Sequence, residues 1–138
     1  MKILDILTKK RSLGNRGECE ACRYLKKHGY KILRQNFVCE NAEIDIVAEC
    51  EDATVFVEVK TRTKEMQDPH EPRPASAVTP EKQRKIIKVA KFFPRNPDKA
   101  MRFDVIEVIY SLEDQRRPVE INHLISTFNY DTAHRRNL

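Results

Sequence analysis

No run of this sequence is apolar for long enough to cross a bilayer, which excludes a helical membrane span. A secretion signal is missing as well: Ile3, Leu4, Ile6 and Leu7 are too few, and Asp5 interrupts them. Both absences point to the cytoplasm. There is no internal repeat and no low-complexity tail, so a repeat array is excluded. The cysteines, Cys19, Cys22, Cys39 and Cys50, do not complete a zinc framework: Cys19 and Cys22 have C-x-x-C spacing, but Cys39 and Cys50 lack a second short spacing. A redox C-x-x-C opens a helix behind a strand, and no strand-like segment precedes this one. The cysteines read as reduced thiols, some of them in the core. His28, His70, His123 and His134 show no ligand spacing and read as ordinary polar residues.

What is present fits one domain over residues 1–138, with 40% hydrophobic residues to form a core and 34% charged residues at its surface. The formal net charge is +5, and its distribution says more than its size. Basic residues crowd into Lys82 to Lys91 and recur at Arg135 and Arg136, while acidic residues crowd into Glu40 to Glu58. A basic surface around an acidic pocket suits an enzyme that holds phosphates outside and a cation inside.

Asn15 to His28 reads as the first main helix, with Asn15 and Glu18 as a capping pair and Gly29 as the stop. Glu18, Cys22 and Leu25 share one stripe of it. Three strands follow, at Tyr30 to Val38, Glu43 to Glu49 and Thr54 to Lys60. In the third, Val55, Val57 and Val59 oppose Phe56, Glu58 and Lys60; in the second, Ile44, Ile46 and Ala48 oppose Glu43, Asp45 and Val47. Residues 61–78 are charged, carry Pro69, Pro72 and Pro74, and read as a mobile loop. Thr79 caps a second helix and Pro80 opens it. Its core stripe is Ile86, Ala90 and Phe93, thickened by Ile87, and Pro94 ends it. Strands at Met101 to Tyr110 and Val119 to Ile125 follow, then a polar tail over 126–138. The order implies a βαβ crossover and an α/β fold: a mixed sheet flanked by helices.

The Glu51-Asp52 turn sets Asp45 opposite Glu58 and Glu43 opposite Lys60, all on one face. Opposed carboxylates at ~5 Å repel by roughly 3 kcal/mol at an effective dielectric of ~20. Either one takes up a proton or a cation sits between them. Oxygen ligands on rigid strands favour Mg²⁺ or Mn²⁺. If the first helix covers this face, Glu18 joins the acids and Lys60 becomes the adjacent cation, able to orient or deprotonate a water. Singly, each residue has a plainer explanation: Glu43–Lys60 as an ion pair, Glu18 as a cap, Asp45 and Glu58 as solvated acids. Their convergence favours a metal site. Lys82 lies one turn before Ile86, so it reaches the site or a substrate phosphate, or stays solvated. Lys85, Lys88 and Lys91 read as a solvated face able to track phosphates.

The hairpin Glu43-Ile44-Asp45 with Val57-Glu58-Val59-Lys60 resembles the PD-(D/E)XK nuclease signature. A fuller set resembles the bacterial YraN family over nearly the whole chain: Gly14, Gly17-Glu18, Gly29-Tyr30, Gln35-Asn36, Glu43-Ile44-Asp45, Phe56 to Arg62, Lys82, Arg102-Phe103-Asp104-Val105 and Ile121-Asn122-His123. The resemblance implies a restriction-endonuclease-like αβββαβ core, similar to that of archaeal Holliday-junction resolvases. It also implies metal-ligand or catalytic roles for Glu18, Asp45, Glu58 and Lys60, and a structural role for Arg102 and Asp104. One departure is Ala42, where the family usually has Gly before Glu-Ile-Asp. The expectation is Mg²⁺- or Mn²⁺-dependent hydrolysis of DNA, branched or single-stranded by analogy, with Arg62, Lys82, Lys85 and Lys88 on the nucleic acid. Asp45 and Glu58, helped by the Val59 carbonyl, would hold the ion; Glu18 would orient a water or a second ion. Related nucleases pair to cut two strands, which allows a homodimer here. The rival expectation is a catalytically silent binding module or adaptor of the same fold.

Overall fold

The computed structural model describes the backbone of residues 3–64 and 78–134, and within that range the side chains from Leu13 onward. Helix α1 spans Ile3–Lys27, followed by strands β1 (Lys31–Cys39), β2 (Ala42–Glu49) and β3 (Ala53–Thr63). Helix α2 (Pro80–Ala90), strands β4 (Ala100–Tyr110) and β5 (Pro118–Phe128) and a short helix α3 (Tyr130–Ala133) follow among the described residues. The five strands form one sheet in sequence order. Only β3 and β4 are parallel; the other neighbours are antiparallel. This is the expected mixed sheet of the α/β class, with α2 in the crossover between the parallel strands.

Each sheet face has its own core. Ala21, Cys22 and Leu25 of α1 pack on Ile46, Val55, Val57, Ile106 and Val108. Ile86, Ile87, Val89 and Ala90 of α2 pack on Ile44, Val47, Phe56, Phe103 and Val105. Burial of these aliphatic side chains is worth about 1.5–3 kcal/mol each and fixes which way every strand faces. Among the described residues, no helix is long and apolar enough to cross a membrane.

Several boundaries differ from those read in the sequence. Helix α1 begins twelve residues before Asn15, so Asn15 is inside a helix and caps nothing. The helix runs through Gly14 and Gly17 although each costs about 1 kcal/mol of helix propensity. The reason lies in packing: Gly17 is buried, and a Cβ there would collide with Thr61 Oγ1, so its missing side chain lets α1 sit directly on β3. Strand β3 extends to Thr63, into the stretch read as a loop; the remainder of that loop, with its prolines, lies outside the described residues. The stretch read as a polar tail contains the end of β5 and α3, whose buried Ala133 seals the α2 face. Thr79 caps α2 as expected, its side chain accepting the Lys82 N–H, with Pro80 in the first turn.

Candidate functional site: an acidic cluster at the end of the hairpin ladder

Strands β2 and β3 pair through Glu49–Thr54, Ala48–Val55, Val47–Phe56 and Ile46–Val57, the register that the Glu51-Asp52 turn requires. The ladder stops there, one pair short of Asp45 and Glu58. Side-chain alternation in β2 breaks at the same point. Ile46 and Ala48 face α1, whereas Ile44 lies with Val47 on the α2 side, and not with Ile46 as strict alternation demands. Asp45 occupies the break. Its Oδ2 accepts the backbone N–H of Val59 at 2.8 Å, so a side chain takes over where the backbone pairing ends.

Glu58 is buried, and its Oε1 is gripped by two ammonium groups. Lys82 of α2 donates to it at 2.5 Å, and Lys60, two residues along β3, stands 3.4 Å away. Of the alternatives left open for Lys82, the structure selects the site. Burial, then the neighbouring Glu58 charge, push the Asp45 carboxyl up to about 7 against the opposing Val59 N–H, with Glu18 and Glu43 adding to the rise. Glu18 is raised too, by burial first and then by Glu43 and Glu58. The four acids therefore share one electrostatic environment, short of positive charge on the Asp45 side.

Asn36 ties the outer pair together. With its amide nitrogen turned toward the acids, it donates to Glu43 Oε1 at 2.8 Å and to Glu18 Oε2 at 3.2 Å. Asn36 adopts φ 53°, a left-handed backbone that Asn tolerates better than most residues. Nothing local in the sequence marks this role beyond a Gln-Asn pair inside a strand. Buried Glu107 was also missed: the parallel ladder sets it beside Lys60.

A cleft of about 460 Å³ opens beside Asp45 and Glu58, lined also by Glu43, Thr79, Lys82 and Lys85. Glu18 and Lys60 are not among its lining residues. Lys85 and Lys88 are exposed on α2, Lys85 3.7 Å from Glu81 and Lys88 3.6 Å from Glu40. Arg62, expected on a loop facing nucleic acid, is half-buried in β3 beside Ile109.

Among the described residues, no three His, Cys, Asp or Glu side chains are grouped to hold one metal ion. Glu18 does not line the cleft and meets the cluster through Asn36 and through its charge. The site is thus an open platform of two carboxylates. That donor set fits Mg²⁺ or Mn²⁺, which keep several waters and need only one or two protein carboxylates.

A second polar cluster lies elsewhere on the sheet. Asp104, fully buried in β4, accepts from Arg102 at 2.8 Å, His123 Nε2 at 2.7 Å and the Ser126 N–H at 2.9 Å. Arg102 also donates to the Tyr30 hydroxyl at 2.7 Å. Burial alone would raise the Asp104 carboxyl, but the bonds from His123, Arg102 and Ser126 hold it below its ordinary value. His123 is therefore a buried partner of Asp104, not the ordinary polar residue read from its spacing.

The model of the uncharacterised protein family UPF0102 matches residues 17–108. The chain belongs to the UPF0102 family. A UPF0102 protein of Geobacter metallireducens is 48% identical over 104 residues, covering 73% of this chain and 82% of the relative. Relatives with the same family name from Caldanaerobacter subterraneus and Pelobacter propionicus are 39% and 45% identical, each match covering 86% of this chain and 96% and 83% of the relative. The YraN resemblance read in the sequence agrees with this membership. The UPF0102 match contains Glu18, Asn36, Asp45, Glu58, Lys60 and Lys82, so the entire acidic cluster lies within it. It ends in β4, before His123.

Proposed function

We propose that this protein is a Mg²⁺- or Mn²⁺-dependent nuclease that hydrolyses DNA phosphodiester bonds. The observation that carries the reading is that Asp45 and Glu58, just past the end of the β2–β3 ladder, line one cleft and act on each other electrostatically, with the Lys60 ammonium 3.4 Å from Glu58 Oε1. The Val59 N–H fixes the direction of the Asp45 carboxylate, so the acid is oriented before substrate arrives. Lys60 stands 3.4 Å from Glu58 Oε1, where its ammonium would orient the attacking water or the scissile phosphate. Lys82 and Lys85 line the cleft, and Lys88 extends the row along α2, placing positive charge along the path of a phosphate backbone. A bound divalent ion would supply stabilisation of the charge that develops on the phosphate and would acidify a water. Branched or single-stranded DNA is the substrate that the likeness to junction resolvases suggests.

The test is cleavage of junction, flap, single-stranded and duplex DNA with Mg²⁺ or Mn²⁺. Asp45→Asn and Lys60→Met should each cut at least ~100-fold more slowly than wild type while remaining folded. Cleavage surviving in both variants would trace to a contaminant and overturn the assignment. DNA binding without cleavage in either metal would instead assign a silent binding module.

A further inference from the structure

Lys60 and Lys82 both address Glu58 Oε1, at 3.4 and 2.5 Å. Both ammonium groups address the oxygen that a divalent ion would take, so an ion bound at Glu58 Oε1 would have to displace one of them. The two are not equally free. Lys60 belongs to β3 in the middle of the sheet, and its side chain is 23% exposed. Lys82 stands at the mouth of the cleft with its side chain 44% exposed.

The Lys82 backbone is fixed, because its N–H donates to the Thr79 cap at 3.2 Å, but the four-carbon stem beyond it can swing. Lys82 also sits in the first turn of α2, where the helix dipole disfavours a cation. Glu58, not the helix, holds the ammonium inward. Lys85 lines the same cleft about one turn further along α2 and is exposed, so a released Lys82 would join it.

We infer that Lys82 stands in for the metal ion at Glu58 and is displaced when a divalent ion binds, so that metal binding delivers its ammonium to a DNA phosphate in the cleft. The inference rests on the nuclease reading and adds a positioning residue whose contact with DNA depends on the metal. Lys82 then competes with metal but assists DNA, and removing it has opposite effects on the two ligands.

The experiment is calorimetric titration of Mn²⁺ into the metal-free full chain, wild type against Lys82→Met, near neutral pH. Loss of the competing ammonium should tighten Mn²⁺ binding roughly fivefold or more. In parallel, anisotropy with labelled DNA should show Ca²⁺ tightening binding to wild type by a larger factor than binding to Lys82→Met. A lysine that only braces the fold would lower the melting temperature without tightening Mn²⁺ binding. If wild type binds Mn²⁺ and Lys82→Met binds it no more tightly, displacement is overturned while the nuclease reading stands. If neither protein binds Mn²⁺, the nuclease reading falls and takes the inference with it. Should Lys82→Met fail to fold, the ε-carbon NMR signals of Lys82 in the wild-type protein provide the second measurement. They should shift as Mg²⁺ is added, and signals unmoved at saturating Mg²⁺ would overturn displacement.

Discussion

Asp45 and Asp104 are carboxylates of the same sheet treated in opposite ways. Asp104 is the more deeply buried, yet a guanidinium, an imidazole and a backbone amide converge on it, and its carboxyl is held below the ordinary value. Asp45 is only partly buried, has other acids around it, and its carboxyl is pushed up. Burial acts in the same direction at both positions. The neighbours decide the sign, because hydrogen bonds to the charged form can overcome desolvation while adjacent acids add to it. A sheet that satisfies one aspartate so fully could have satisfied the other. Under the proposed nuclease function, the uncompensated Asp45 carboxylate is where a bound cation would act.

The largest effect that would break this contrast is at Asp104. Asp104→Ala leaves Arg102 without its buried partner and should cost about 3–5 kcal/mol in urea unfolding. A loss below about 1 kcal/mol would mean that the network is slack and the contrast overstated. The pH dependence sharpens it. The folded Asp104 carboxyl lies below its unfolded value, so its contribution to stability is complete above the usual carboxylate range and is lost as pH falls through that range. Asp45 has the reverse sign: the folded state holds the proton more tightly, so without metal its contribution falls as pH rises from about 4 to about 7. Asp45→Asn should accordingly raise metal-free stability by about 1–3 kcal/mol at about pH 8 and by much less at about pH 5. Excess Mg²⁺ should narrow the gap by stabilising only the wild type. A variant less stable than wild type at both pH values would sink the electrostatic account.

A smaller effect concerns the helix that carries Glu18. Gly17→Ala gains helix propensity but drives a methyl group into Thr61, and should cost about 1–2 kcal/mol net. Adding Thr61→Ala should recover part of it, and a gain in stability from Gly17→Ala alone would show that α1 can lift off β3 without penalty. The smallest is Lys88→Ala. Its exposed contact with Glu40 should change stability by less than about 0.5 kcal/mol, while the salt dependence of DNA binding should become shallower by about one ion.

Much of the acidic site could be read from the chain because it sits on a short hairpin. The Glu51-Asp52 turn and the valine alternation determine the register from local rules, and the observed Val47–Phe56 and Ala48–Val55 pairs follow it. The α2 cap was equally local. What escaped depends on distant parts of the chain. That the helix runs on through Gly17 goes with its close fit against Thr61, some forty residues away, which no local capping pattern displays. The break in alternation at Asp45 appears only when both helices are in place to claim Ile44 and Ile46. The sequence leaves Lys82 open between site, phosphate and solvent because its bond to Glu58 spans twenty-four positions, and the His123–Asp104 contact joins two strands with no polar pattern in common.

The hydrogen bond from Val59 to Asp45 gives the protein an intrinsic spectroscopic reporter. The amide sits in the crotch where two strands diverge and points at one carboxylate, so its nitrogen and proton frequencies must respond to whatever charge that carboxylate carries. Protonation, metal loading and substrate arrival would each move one backbone resonance, with no label to introduce and no side chain to alter.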